Sequence, residues 1–428
     1  MYGAFLGLSL IKLGNPVILD RMVQSPGSLM ELVFNSWPVS WGYWALAASL
    51  LIAIPSIRSR GKPRSRGNLA LATILLPIMW LGWQIVAASQ SIEPRLSSPT
   101  VVHFGCCVLS FYLGWSALSH GAPVKWFWLL MLLSFAWVLW IGFGQHFGGL
   151  EQTRRMMAEG SDWQQLPPEY VKRIQSGRIF STFIYPNALA GAVLLLLPAL
   201  TAFVWTRTRR LSNIPRGILT GLLVYSGLAC LVWSGSKSGW LIGLVIGTAI
   251  LLRLGIGRKA KWLAVAALLL VGVGWLLTRH HDYFHRGATS VGARFDYWNA
   301  AWRIAEANPV FGTGPGTFSV PYGKLKQPES EMTRLVHNDF LEQASDSGWM
   351  GFLLYFAFTV MSLALLYPKV SGDTLLFGVW LGTLGFALQG MVEFGLYIPA
   401  LAWTGFSFLG WLWAAPPPNG FDMAQTDP

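Results

Sequence analysis

Charge is scarce in this sequence: only 12% of its 428 residues are charged, and 19 acids face 31 Lys and Arg. So few charges cannot cover a chain that is 53% hydrophobic, which excludes an ordinary water-soluble globule and calls for a lipid solvent. Cysteine is rarer still. Cys106, Cys107 and Cys230 all fall in apolar stretches, where cysteine acts as a small hydrophobe, so neither a disulfide framework nor redox chemistry is expected. The sequence also lacks a nucleotide-binding glycine loop, a repeat of roughly twenty to fifty residues and a soluble domain, which argues against an ATP-driven pump. The N-terminus does not show a basic region, short apolar core and small-residue cleavage site in order, and is expected to form a first span rather than a removed leader.

What the chain does contain is a succession of apolar stretches of about 17 to 25 residues, each long enough to cross a hydrocarbon core of about 30 Å as a helix. None of them alternates in polarity, so a β-barrel is excluded. The expected fold is all-α: a polytopic membrane bundle of about twelve transmembrane helices. The spans fall near 3–20, 40–57, 68–88, 100–119, 124–146, 184–205, 217–234, 238–254, 262–278, 349–367, 374–392 and 397–414. Residues 1–415 form one bundle domain on this reading, followed by a tail at 416–428.

The net charge of +12 is distributed as topology signals, not as a nucleic-acid surface. Arg58, Arg60, Lys62, Arg64 and Arg66 follow the second span; Arg207, Arg209, Arg210 and Arg216 follow the sixth; Arg253, Arg258, Lys259 and Lys261 follow the eighth. Short loops rich in Lys and Arg stay in the cytoplasm, so these connections and both termini are expected inside. The two long polar segments, 147–183 and 279–348, then face outward, the second between spans nine and ten.

Chemistry is sought on that outer face. His281 and His285 share a helical face and could ligate a metal, or could cap the membrane interface together with the neighbouring Arg279 and Tyr283. Arg294 opens a helix in which Phe295, Trp298, Trp302 and Ala305 follow helical spacing, a stripe read as packing; the arginine itself could grip a phosphate bidentately or be simply solvated. The turn Gly312–Thr313–Gly314–Pro315–Gly316 either ends the helix structurally or offers backbone N–H groups to an anion. His337 and Asn338 precede the tenth span, where an imidazole could accept a hydroxyl proton or be structural. Arg178 lies before Pro186 and Asn187 at the start of the sixth span, and Lys237 occupies the short turn between the seventh and eighth, where an unmet cation is costly.

These residues resemble the O-antigen ligase and polymerase superfamily over roughly 175–365. Its signature is His, then Asn, Ser or Gln, nine residues, Gly, two residues, and Gly, Thr or Tyr; His337, Asn338, Gly348 and Gly351 satisfy it. Arg294 before its Gly-Xaa-Gly-Pro-Gly turn, Pro186–Asn187 entering a span, and the Ser-Xaa-Ser-basic turn at Lys237 are similar to three further patterns of that family, although the ligases usually carry Arg where Lys237 stands. The resemblance implies a glycosyltransferase of the bacterial inner membrane that works on the periplasmic face without metal or cofactor. Its donor would be a glycan on undecaprenyl diphosphate, and its acceptor a glycolipid such as lipid A core, another glycan or a protein hydroxyl. His337 would act as base, Arg294 and Lys237 would stabilise the leaving diphosphate, and Arg178, Asn187 and Asn338 would bind substrate. The partners are thus membrane lipids and lipid-linked sugars, with no nucleic acid. A non-catalytic lipid or polysaccharide transporter is the rival class; it should show broken or charged helices at the midplane and internal symmetry, and neither is evident.

Overall fold

Backbone polar groups in hydrocarbon must be satisfied within the chain, and helices do this segment by segment. The computed structural model describes residues 1–58, 68–117, 123–159, 175–281, 289–328 and 330–415. Among these described residues the regular elements are helices, with one isolated bridge between Gly14 and Phe183. In chain order the α-helices are α1 (Tyr2–Lys12), α2 (Leu29–Phe34), α3 (Val39–Arg58), α4 (Asn68–Ser89), α5 (Pro94–Ala117), α6 (Pro123–Gly144), α7 (Leu150–Glu159) and α8 (Pro186–Arg207). They continue with α9 (Asn213–Trp233), α10 (Lys237–Arg253), α11 (Arg258–Arg279), α12 (Thr289–Ala307), α13 (Ser319–Leu325), α14 (Asp339–Val370), α15 (Thr374–Gly390) and α16 (Pro399–Ala414).

Seven of these, α4, α5, α6 with its continuation, α8, α9, α11 and α14, are long and apolar enough to cross a membrane. The chain is therefore a polytopic helical membrane protein. Helices α3, α10, α15 and α16 stand where four further spans are expected. The shorter α16 is buried along almost its whole length, so it meets neighbouring helices rather than lipid and need not match the bilayer thickness.

The first expected span, 3–20, is corrected by the structure. Its α-helical part is Tyr2–Lys12, about 16 Å of rise, too little to cross alone, and a separate 3-10 helix follows at Val17–Met22. After Leu13 the chain pairs with the strip before α8: Gly14 bridges to Phe183, and a Cβ at Gly14 would lie 2.5 Å from the Thr182 carbonyl oxygen. The open carbonyls at the end of α1 are met from outside the helix, by Thr182 Oγ1 on Leu10 O at 2.8 Å and by Ala400 N on Leu13 O at 3.2 Å.

Small residues bring the central helices together, as they do where lipid supplies no hydrophobic drive between helices. A Cβ at Gly382 on α15 would lie 2.1 Å from Leu195 O on α8, and one at Gly410 on α16 would lie 1.9 Å from Phe111 O on α5. These backbone contacts hold α8 and α16 in the interior. Successive long helices run in opposite directions, so the start of α8, the α9–α10 turn, the start of α14 and the α15–α16 connection gather at one end. Arg207, Arg253 and Lys369 lie at the other end of α8, α10 and α14, and Arg258 opens α11 just after α10.

Candidate active site at one lip of the bundle

The site is built outward from the start of α14. Asn338 Oδ1 caps the helix by accepting the N–H groups of Phe340 and Leu341, each at 3.0 Å. His337 just before it has φ +56°, a left-handed conformation that costs a non-glycine residue about 1–2 kcal/mol. The conformation is held by Trp298 Nε1, which donates to His337 O at 3.3 Å, and by two rings: Tyr297 stacked at 5.8 Å and Phe394 edge-on at 4.8 Å. Its imidazole is thereby turned toward Glu393, a residue in the connection after α15.

Glu393 is the hub. Its side chain is 5% exposed, and it accepts from Arg294 Nη2 in a short charge-assisted contact, from Asn187 Nδ2 at 2.5 Å and from His337 Nδ1 at 3.2 Å. Burial alone would raise its carboxyl, but Arg294 and His337 outweigh burial and hold it below the usual carboxylate range. Arg294 is fixed further by Val392 O at 3.1 Å and Ser290 O at 3.2 Å.

Arg178 completes the chain of contacts. It donates through Nε to Ser234 O and through Nη2 to Asn187 Oδ1, both at 2.7 Å. Ser234 begins the α9–α10 turn that carries Lys237. Gly235 in that turn has φ +60°, and a Cβ there would lie 3.1 Å from Arg178 Nε, so the arginine lies against the turn only because the residue is glycine. Arg178 and Arg294 both act on Lys237 as like charges. The field reaches past α11, where His280 is held below its ordinary value first by burial and then by Lys237, Arg279 and Arg178. Arg178 and Arg294 thus act on one carboxylate, with Lys237 near enough to feel both arginines, an arrangement with net positive charge that suits a polyanion.

The structure settles the role of the glycine turn. Gly314 N donates to Asp346 O at 2.8 Å, Gly316 N to Asp346 Oδ2 at 2.6 Å, and Thr313 N to Ser345 O at 3.1 Å, so these groups bind α14 and not an anion. In return α14 kinks at Gly348, whose φ is +68° and where a Cβ would meet Val310 O at 2.1 Å. The turn and the kink lock the helix bearing Arg294 to the helix that follows His337.

The stripe expected on α12 is corrected in part. Its buried face is Tyr297, Ala300, Ala301, Ile304 and Ala305, while Phe295 and Trp302 are exposed. The alanines permit close approach, which large aromatics on that face would prevent. The His281–His285 pairing cannot be followed, because His285 lies outside the described residues.

Of the residues singled out from sequence, Arg178, Asn187, Arg294 and His337 are joined through hydrogen bonds, and Lys237 stands on the adjoining turn. Asn338 differs, since its side-chain carbonyl serves its own helix. Glu393 was not among them, and neither was Gln389, which donates to Asn187 O at 2.6 Å. A signal existed: Glu393 is the only acid between Thr374 and Ala415, and a lone carboxylate in an apolar run needs a partner.

Fold and site together define a multi-pass membrane protein with a cation-rich polar cluster at one end of its helices. Residues 221–356 match the family described as O-antigen ligase, which supports the resemblance of this part of the chain to the O-antigen ligase superfamily. The matched region includes Lys237, Arg294 and His337 but not Arg178, Asn187 or Glu393. The chain is also similar to an uncharacterized protein of Haemophilus influenzae, 29% identical over 144 residues, covering 28% of this chain and 36% of that protein. It therefore spans about a third of the length of that curated relative.

Proposed function

We propose that this chain transfers a glycan from undecaprenyl diphosphate to a hydroxyl of lipid A core or a related acceptor, on the periplasmic face of the bacterial inner membrane. The observation that carries the reading is His337 paired with Glu393 beside Arg178, Arg294 and Lys237. The positive-inside rule supports the orientation, because the arginines at the far helix ends mark a cytoplasmic side and leave the cluster outside. The C-terminal end of α16 then lies on the cytoplasmic side, and residues 1–415 act as one bundle.

The geometry gives each group a task. With Nδ1–H donating to Glu393, His337 carries its lone pair on Nε2, where it accepts the proton of the acceptor hydroxyl. The acceptor oxygen bonds to the anomeric carbon as the bond from that carbon to the diphosphate oxygen breaks. The electron pair leaves with the lipid diphosphate, whose added charge is met by Arg294, Lys237 and Arg178. The diphosphate linkage supplies the driving force, so no nucleotide is required at the site.

Replacing His337 with Ala should lower transfer by roughly a hundredfold or more while the protein still inserts and purifies as a monodisperse species. Normal transfer by that variant would reject the reading. Deletion in the source organism followed by glycolipid analysis identifies the acceptor. Unligated long chains indicate ligation to lipid A core, single-repeat caps indicate polymerisation, and loss of glycan from protein alone indicates protein transfer.

A further inference from the structure

A groove of about 560 Å³ opens between α8, α9, α10 and α15, away from the polar cluster. Its size falls in the range of small-molecule sites. Its walls are apolar, formed by residues such as Leu194, Leu197, Leu228, Ile246, Phe377 and Leu381. Along α8 it runs from Val193 to Trp205, a rise of about 18 Å, close to the ~15 Å depth of one leaflet's hydrocarbon. Water is a poor occupant of such a surface and a lipid chain a good one.

Among the lining residues Arg253 alone is charged, and it stands at the mouth, 3.9 Å over the Phe377 ring. A guanidinium whose face meets a ring keeps its in-plane N–H groups available, and these are the donors that suit a phosphate. Asp373, the acid next to this mouth in sequence, accepts from Leu375 N at 2.7 Å and Leu376 N at 2.9 Å as the cap of α15. Between residues 170 and 281 the sequence has no acid, while Arg207, Arg209, Arg210, Arg216, Arg258, Lys259 and Lys261 lie on the connections at this end. That charge attracts anionic headgroups.

A phosphate at Arg253 cannot belong to a molecule reacting at the cluster. Lys237 and Arg253 are the two ends of α10, separated by about 24 Å of helix. We propose that the groove binds one acyl chain of an anionic phospholipid from the leaflet opposite the cluster, with its phosphate on Arg253. The inference stands whether or not the cluster performs glycan transfer.

The test uses the full chain in vesicles of phosphatidylcholine containing phosphatidylglycerol with a photoactivatable acyl chain, with labelled peptides mapped after irradiation. Labelling should concentrate on the groove faces of α8, α9, α10 and α15, and unlabelled phosphatidylglycerol but not phosphatidylcholine should compete it away. Arg253→Gln should reduce that labelling by about tenfold. Gly243→Met, which places a flexible side chain in the groove, should reduce it comparably and without altering the headgroup contact. Uniform labelling of all lipid-facing helices, or labelling indifferent to both substitutions, would overturn the proposal. So would competition by a polyprenyl diphosphate but not by phosphatidylglycerol, which would assign the groove to the tail of an isoprenoid lipid instead.

Discussion

The two ends of this bundle handle cations in different ways. At the polar cluster Arg178 and Arg294 are fixed by directional hydrogen bonds to Asn187, Ser234, Val392 and Glu393. At the other end Arg253 lies 3.9 Å over the Phe377 ring, and Arg216 lies 3.5 Å over Trp205 while donating Nε to the Trp205 backbone carbonyl at 3.0 Å. Hydrogen bonds set position and angle, whereas a cation over a ring can slide at little cost. The cluster cations are therefore preorganised around a shared carboxylate, as stabilisation of a developing charge requires, while Arg253, held by a ring face, is adaptable, as a lipid interface requires.

The sharpest way to break this contrast is to remove a fixed cation. Arg294→Ala should lower glycan transfer by about a hundredfold to a thousandfold, measured as product from a purified lipid-linked donor in vesicles. It also strips Glu393 of its charged partner, so thermal unfolding should be followed in parallel. An Arg294→Ala protein with near-normal turnover would remove the cluster from the chemistry.

Glu393→Gln keeps the shape of the hub but not its charge, and transfer should fall by about tenfold to a hundredfold. The pH dependence sharpens the point. The Glu393 carboxyl is held below its usual range in the folded protein, so its stabilising contribution is complete above the unfolded carboxylate value and is lost as pH falls through the lowered folded value. Wild-type melting temperature should accordingly decline on acidification below about pH 4, and the Gln variant should lose that part of the decline. Equal slopes for the two proteins would mean that Glu393 is not ionised in the folded state.

Lys237 gives a smaller and more discriminating effect. Lys237→Gln should reduce transfer by about tenfold, and Lys237→Arg should remain within a few-fold of the wild type, since either cation can meet a phosphate. At the far end Arg216→Ala should change transfer by less than about twofold and stability by about 0.5–1 kcal/mol, the range of an accessible cation–ring contact. A large activity loss there would erase the distinction between the two ends.

Much of this molecule can be read from its residues because membrane crossing is a local property. The run of apolar residues decides whether a helix forms and spans, and α3 to α6, α8 to α11, α15 and α16 appear within about six residues of the expected spans, while α14 begins ten residues early at Asp339 and kinks at Gly348. The first span is misread for the same reason: hydropathy averages over Gly14, Asn15 and Pro16, but the backbone leaves the helix there to pair with Phe183. The face of α12 is misread because its burial is set by what lies beneath it. Ala301 and Ile304 approach the segment preceding α14, and the larger Phe295 and Trp302 are turned outward.

By itself the sequence determined the helical class, the order of the spans, the segregation of basic residues and the short list of polar residues able to act. Each depends on neighbours within about one helix length. Only the tertiary structure decided that Glu393 joins Arg294, Asn187 and His337, and that the glycines of the 312–316 turn and Gly348 interlock backbone with backbone. It also decided that α1 stops short. Those facts arise where segments thirty or more residues apart in the chain meet, and a carboxylate or a glycine shows its use only against the partner that the fold brings to it.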